Sequence, residues 1–314
     1  MSLIEKAVER LDQLKQAGLE PASSPEVKAV QPELKPEPVQ RTPEPVVTVK
    51  PSVGRDASIE QGSVSSREIE IDLERLHALG FVTPDHPRTV IAEEYRVVKR
   101  PLLKNAVSNS DVSVEDGNLI MVTSALPGEG KSFTALNLAI SMALELDHTV
   151  LLVDADVSKP SVLRTLGLPP EKGLMDVLTN KDIALPDVLL KTNIDKLSIL
   201  PAGNTTQRAT EVLASDGMNR LLDEMARRYS DRIIIFDSPP LLVTTEARAL
   251  AAHMGQIVLV VESERTTHSA VKQAAAMISA CPIKMTLLNK CSQRGTAGYY
   301  GYGYGYGYGY ENEA

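Results

Sequence analysis

No stretch of this chain approaches the 18 or so apolar residues that a membrane-spanning helix needs. The opening run, MSLIEKAVERLDQLKQAG, is interrupted by charge, unlike the apolar centre of a secretory signal. The protein is therefore expected in the cytoplasm. Cysteine is scarce: Cys281 and Cys291 are the two in 314 residues, which excludes a disulfide framework and suits small buried thiols in a reducing compartment. Positive charge is not in excess. With 33 Lys and Arg against 41 Asp and Glu, the net charge is -8, so there is no global basic footprint and no nucleic-acid partner is expected. Tyrosine is almost missing from the body of the chain, because seven of the nine lie within residues 298–314.

What is present suffices for one well-buried domain with extensions: 43% of residues are hydrophobic and 24% charged. Residues 1–18 read as an amphipathic helix, with Leu3, Ile4, Ala7, Val8, Leu11 and Leu14 on one stripe and Glu5, Lys6, Glu9, Arg10 and Asp12 facing away. Packing on its own domain or on a second copy, and docking on a partner protein, are both open to it. Residues 19–66 hold eight of the twenty prolines and no apolar periodicity, the composition of a disordered, semi-extended linker. In 67–106, "REIEIDLERLHALG" predicts a short helix closed by Gly80, and "TVIAEEYRVVKRPLLKNA" a second from 89 to 106. Residues 107–297 form the main domain and 298–314 a Gly/Tyr-rich tail.

Apolar runs at 119–125, 149–156, 197–203, 232–240, 256–263 and 284–289 alternate with helical patterns that include 131–145, 216–229, 244–252 and 267–279. Several of the runs are continuous, as strands buried on both faces must be. This predicts an α/β fold: a mostly parallel sheet with helices on both faces, and ligand chemistry beyond the carboxyl ends of the strands.

After the first of these strands comes "ALPGEGKS" (125–132) and a helix. A loop that cradles phosphates needs small residues so that its N–H groups converge, a Lys for the terminal phosphates and a hydroxyl for Mg²⁺. Gly128, Gly130, Lys131 and Ser132 supply them, with Ala125 where the strict pattern has Gly. A plain glycine turn is the competing reading. Asp154 and Asp156 in "LLVDADVSKP" and Asp237 in "IIIFDSPP" end two further strands. Singly they read as caps or turn residues; together beside a phosphate loop they suit Mg²⁺, or one of them a general base. The fold expected is of the P-loop NTPase type, with the N-terminal helix, linker and tail as extensions.

The tail, "GYYGYGYGYGYGYENEA", has little to bury and reads as a flexible strip of exposed phenols, or else as a self-adhesive segment. With "LPAGNTTQRATEVLASDGMNRLLDEM" and "LLNKCSQRG", the motifs from residue 88 to 310 resemble the bacterial tyrosine kinases, and the start and linker resemble those encoded with exosortase-linked exopolysaccharide systems. HRD and DFG triplets of the eukaryotic kinases are missing.

The resemblance implies an ATP- and Mg²⁺-dependent autokinase whose copies phosphorylate one another's Tyr299, Tyr300, Tyr302, Tyr304, Tyr306, Tyr308 and Tyr310. It implies control of exopolysaccharide synthesis or export at the inner face of the membrane, with a membrane-bound polysaccharide co-polymerase as partner, a ring-like homo-oligomer, and a phosphotyrosine phosphatase in opposition. It places Lys131, Asp154, Asp156 and Asp237 in catalysis, with Asp154 as proton acceptor and Ser132, Asp156 and Asp237 toward Mg²⁺. Nucleotide binding falls to Pro127, Gly128, Glu129, Gly130, Lys131, Ser132, Phe133 and Asn289. The family's oligomerisation motif falls on Glu93, Arg96 and Lys99, with Lys where a second Arg is usual, and Ser158 stands where an Arg is usual beside Lys159. A nucleotide-gated scaffold without kinase activity is one alternative. A partitioning ATPase is another, but that group has a lysine where Leu126 stands.

Overall fold

A computed structural model describes residues 67–106, 114–206, 208–228 and 232–292. The expected N-terminal helix, the proline-rich linker and the tyrosine tail all lie outside the described residues.

Eight strands form one sheet: β1 (Arg67–Ile69), β2 (Leu119–Ser124), β3 (Thr149–Asp154), β4 (Leu190–Thr192), β5 (Leu197–Leu200), β6 (Arg232–Asp237), β7 (Gln256–Glu262) and β8 (Ile283–Asn289), in the order β1-β4-β5-β3-β6-β2-β7-β8. Every pairing is parallel except β4 with β5. The helices are α1 (Leu73–Ala78), α2 (Val90–Ala106), α3 (Lys131–Ala143), α4 (Val162–Leu166), α5 (Leu174–Thr179), α6 (Leu185–Val188), α7 (Ala209–Leu213), α8 (Asp216–Arg228), α9 (Glu246–Ala251) and α10 (His268–Met277).

The continuous apolar strands divide their residues between two cores, because successive side chains of a strand point to opposite faces. Leu119, Met121, Leu151, Val153, Ile234, Phe236, Ile257 and Leu259 pack under α5 to α10. Ile120, Val122, Val150, Leu152, Ile233, Ile235, Val258 and Val260 pack on the other face, under α1 to α4. Helices cover both faces of the sheet, as the strand pattern predicts.

Residues 67–80 depart from the helix expected there. Arg67–Ile69 add a parallel strand beside β4, and only Leu73–Ala78 are helical, capped by the Asp72 carboxylate on the Arg75 N–H at 2.9 Å. The segment is also part of the domain core rather than an appendage. The Asn193 amide side chain accepts from the Ile71 N–H and donates to the Ile71 carbonyl, at 2.9 and 3.0 Å. The Val82 N–H donates to the Asn137 Oδ1 of α3 at 2.7 Å, and the rings of Phe81 and Phe133 lie 4.7 Å apart. Lys99 of α2 is buried, and its ammonium reaches the Glu145 carboxylate at 2.7 Å and the Ser141 carbonyl at 2.5 Å.

Lys99 therefore ties α2 to the end of α3 within the subunit. Glu93 and Arg96 stay on the exposed side and pair with each other at 2.5 Å. Lys99→Ala is expected to lower the unfolding free energy by about 2 kcal/mol, since it strands a charged acceptor and a buried carbonyl. Arg96→Ala, at an exposed ion pair, is expected to change it by less than about 0.5 kcal/mol. Urea denaturation separates the two, and equal midpoints would remove Lys99 from this structural role.

Candidate active site

The carboxyl ends of β2, β3 and β6 meet at one edge, because β6 lies between the other two and pairs parallel with each. From β2 the chain turns through residues 125–130 into α3. Gly128 and Gly130 take left-handed backbone conformations, φ 88° and 98°, which any side chain would strain. At Gly130 a Cβ would also collide with the Asn289 side-chain amide. Gly130 caps α3 with no side-chain bond to its first N–H groups, so the helix presents free donors and the positive end of its dipole at this edge.

Lys131, the first residue of α3, directs its ammonium to Asp156 Oδ2 at 2.7 Å. Asp154 and Asp237 are paired by sheet register across β3 and β6, and Asp156 follows two residues on. All three carboxylates are buried, with exposures of 1%, 5% and 0% for Asp154, Asp156 and Asp237. Burial pushes the Asp154 carboxyl up to about 7, helped by the charge of Asp237 and opposed by N–H donors of Val162 and Ser161. Asp237 is likewise raised, chiefly by burial and against the pull of Lys131. Burial pulls the Lys131 ammonium down, but Asp237 and Asp156 outweigh it and hold it above the usual lysine value. Three carboxylates around one ammonium leave an excess of buried negative charge, the arrangement that a cation relieves.

The fit to Mg²⁺ can be tested on the side chains. Oδ1 of Asp237 is a hard oxygen donor buried without a hydrogen-bond partner, with the Ser132 hydroxyl linked to that carboxylate through Ser161 and the Asp156 carboxylate nearby. Among the described residues no group of three or more acidic, imidazole or thiolate side chains is arranged to enclose a metal by itself. The two observations agree for Mg²⁺, which is normally held by one or two carboxylates together with substrate phosphates and water. The residues present fit that ion.

Ser161 is a member of the site that no motif announced. Its hydroxyl donates to Ser132 Oγ at 2.8 Å and also lies 3.2 Å from Asp237 Oδ2, while its N–H and that of Val162 donate to Asp154 Oδ2, both at 2.9 Å. Its signal in the sequence was weak: a serine just before an apolar run, the position of an N-cap. Of the other residues expected at nucleotide, Glu129 is buried and its carboxylate accepts the Leu126 N–H at 2.6 Å and the Thr266 hydroxyl. Pro127 is exposed at the turn. Phe133 turns its ring to Phe81, so only its backbone is available at the loop. Asn289 reaches the loop, donating to the Glu129 carbonyl at 2.9 Å. Ser158 and Lys159 are exposed in the turn that follows Asp156. Glu93, Arg96 and Lys99 lie on α2, outside this cluster.

A family model described as an AAA domain matches residues 117–288. The chain is 33% identical over 219 residues to the tyrosine-protein kinase YwqD of Bacillus subtilis, covering 68% of this chain and 88% of the relative. It is 31% identical over 215 residues to the succinoglycan biosynthesis transport protein ExoP of Rhizobium meliloti, covering 67% of this chain and 26% of that longer protein. Among solved structures, the kinase domain of the Escherichia coli tyrosine kinase ETK superposes with a TM-score of 0.59 at 26% identity, covering 71% of this chain and 86% of that one.

Proposed function

Because this chain belongs to the bacterial tyrosine-protein kinases, we propose that it is an ATP-dependent autokinase whose copies phosphorylate each other's tail tyrosines, Tyr299 to Tyr310, and thereby regulate exopolysaccharide synthesis or export. The observation that carries this reading is the convergence of an N–H-lined loop, the Lys131 ammonium and three buried carboxylates at one sheet edge. Phosphoryl transfer asks for little else: positioning, charge stabilisation and a proton acceptor.

In this reading the N–H groups of residues 128–132 and Lys131 hold the phosphates of ATP. Ser132, Asp156 and Asp237 hold Mg²⁺, which when bound would supply neutralisation of the phosphate charge. Asp154, with one oxygen fixed by two N–H donors and the other unpartnered, takes the phenolic proton as the new O–P bond forms and ADP departs. Seven of the nine tyrosines lie in the tail; of the two outside it, Tyr229 lies beyond the described residues and Tyr95 is shut away. It is 4% exposed and burial pushes its phenol up to about 12.

Glu93 and Arg96 are exposed on α2 and are the side chains of the motif able to meet a second copy in a ring-like oligomer. Lys99 contributes by holding α2 in place. The name of ExoP joins that relative to polysaccharide transport, which supports a membrane-bound polysaccharide co-polymerase as the partner that brings this protein to the membrane's inner face. A phosphotyrosine phosphatase would reset the tail.

Transfer between copies has a direct test. A catalytically intact chain ending at Gly298 is mixed, with Mg·ATP, with a full-length Lys131→Met chain. The inactive chain is expected to gain phosphotyrosine on its tail, read by mass spectrometry, at a rate that rises with the truncated partner until assembly saturates. An unmodified tail, with co-assembly shown independently, would exclude transfer between copies.

A further inference from the structure

The carboxyl end of β8 touches the phosphate loop at two successive peptides. Asn289 Nδ2 donates to the carbonyl of Glu129 at 2.9 Å, and Lys290 Nζ donates to the carbonyl of Gly128 at 2.7 Å. A trans peptide is planar, with its C=O and N–H pointing in opposite directions. Holding the Gly128 carbonyl therefore turns the Glu129 N–H away from β8, and holding the Glu129 carbonyl turns the Gly130 N–H away likewise. These are two of the donors that a phosphate must find.

Glycines on either side give this part of the loop freedom to rotate those peptides, with Gly128 and Gly130 both in the left-handed region. Something outside the loop has to set them. Lys290 is itself fixed: its ammonium also reaches Glu262 Oε1 at 3.2 Å, and its backbone adopts φ 57°, a conformation unfavourable for a residue with a side chain. The Asn289 carbonyl accepts the Ser263 N–H at 2.9 Å, joining the end of β8 to the turn after β7. The Glu129 carboxylate completes the brace from the loop's side, through the Leu126 N–H and the Thr266 hydroxyl of that same turn.

We propose that Asn289 and Lys290 are positioning residues of the phosphate loop, which orient the Glu129 and Gly130 N–H groups toward the phosphates through the carbonyls behind them. This assigns a role to Lys290, which the segment LLNKCSQRG contains without revealing what it does. It also moves Asn289 from binding the nucleotide to holding the loop. The inference rests on the reading of residues 125–132 as a phosphate loop, and the experiment keeps the two apart.

Binding of ATP, GTP, ADP and adenosine, each with Mg²⁺ present, is measured by calorimetry on the full-length protein and on Asn289→Ala, Lys290→Met and Lys290→Arg. Lys290→Met is expected to weaken ATP and ADP by about tenfold while leaving adenosine unchanged, with the melting temperature preserved, and Lys290→Arg is expected to restore most of the loss. Asn289→Ala is expected to weaken ATP and GTP by the same factor, because a loop brace does not see the base. Wild-type affinity for ADP in Lys290→Met, or an Asn289→Ala chain whose ATP-to-GTP preference shifts while ADP and adenosine weaken together, would overturn the inference. A wild-type protein that binds none of the phosphorylated nucleotides would instead overturn the phosphate-loop reading beneath it.

Discussion

Lys131→Met is expected to lower tail phosphorylation by about 10²- to 10³-fold or more, the range for removing a preorganised charge from the reacting group. The ammonium sits on the first residue of α3, where a short chain segment gives it little room to stray, and 2.7 Å from Asp156 it is already desolvated and aimed at the carboxylate edge. Methionine fills the same volume without the charge. The substitution also leaves Asp156, Asp154 and Asp237 with no cation among them, so the fold is expected to lose some stability rather than remain untouched. Lys131→Arg keeps charge but changes its shape and reach, and is expected to recover the stability while recovering little of the rate. Quantitative phosphotyrosine mass spectrometry with thermal melts checks both. Phosphorylation within about tenfold of wild type in Lys131→Met would remove this lysine from the chemistry.

Asp154→Asn is expected to cost about 10²- to 10⁴-fold in rate, the worth of a positioned general base. The change is conservative in structure. The amide oxygen can still accept the N–H groups of Ser161 and Val162 that Asp154 Oδ2 accepts at 2.9 Å, so the turn that carries Ser161 and Asp156 should persist. What is lost is the ability to take a proton. Affinity for Mg·ATP should therefore fall little, whereas Asp156→Asn and Asp237→Asn should weaken it clearly, because they remove charge from the side chains assigned to the ion. Single-turnover phosphorylation alongside nucleotide titration distinguishes the cases. If Asp154→Asn turned over near the wild-type rate while one of the other two did not, the base would have to be reassigned to that residue.

Much of this architecture was legible beforehand, for physical reasons that also explain the gaps. Strands such as Ile233–Phe236 announce themselves because burial on both faces removes every polar residue, and the phosphate loop because glycine, lysine and serine are needed together. β1 and β4 escaped notice because three residues carry too little periodicity to be told from a helix or a loop. The carboxylates were legible from their place at strand ends. Ser161 and Lys290 were not, since their importance comes from where a turn and a neighbouring strand happen to bring them, and neither residue type is unusual at its position. Lys99 shows the opposite failing. A charged helix face reads as solvated from its sequence, yet packing of α2 on α3 buried this member and left Arg96 outside.

The pairing of Asp154 with Asp237 is a property of hydrogen-bond register between β3 and β6, not of either loop, and this sets how the gene can change length. Deleting one codon within β3 would move Asp154 by one pleat, about 3.3 Å, and turn every later side chain of the strand toward the wrong core. The acidic pair and both hydrophobic layers would fail together. Codons gained or lost between Pro169 and Lys172, in the irregular stretch before α5, would shift no strand against another. Among natural variants of this kinase, differences in length should therefore gather in such connections, while the strands that carry the acids should keep their residue count even where their side chains drift.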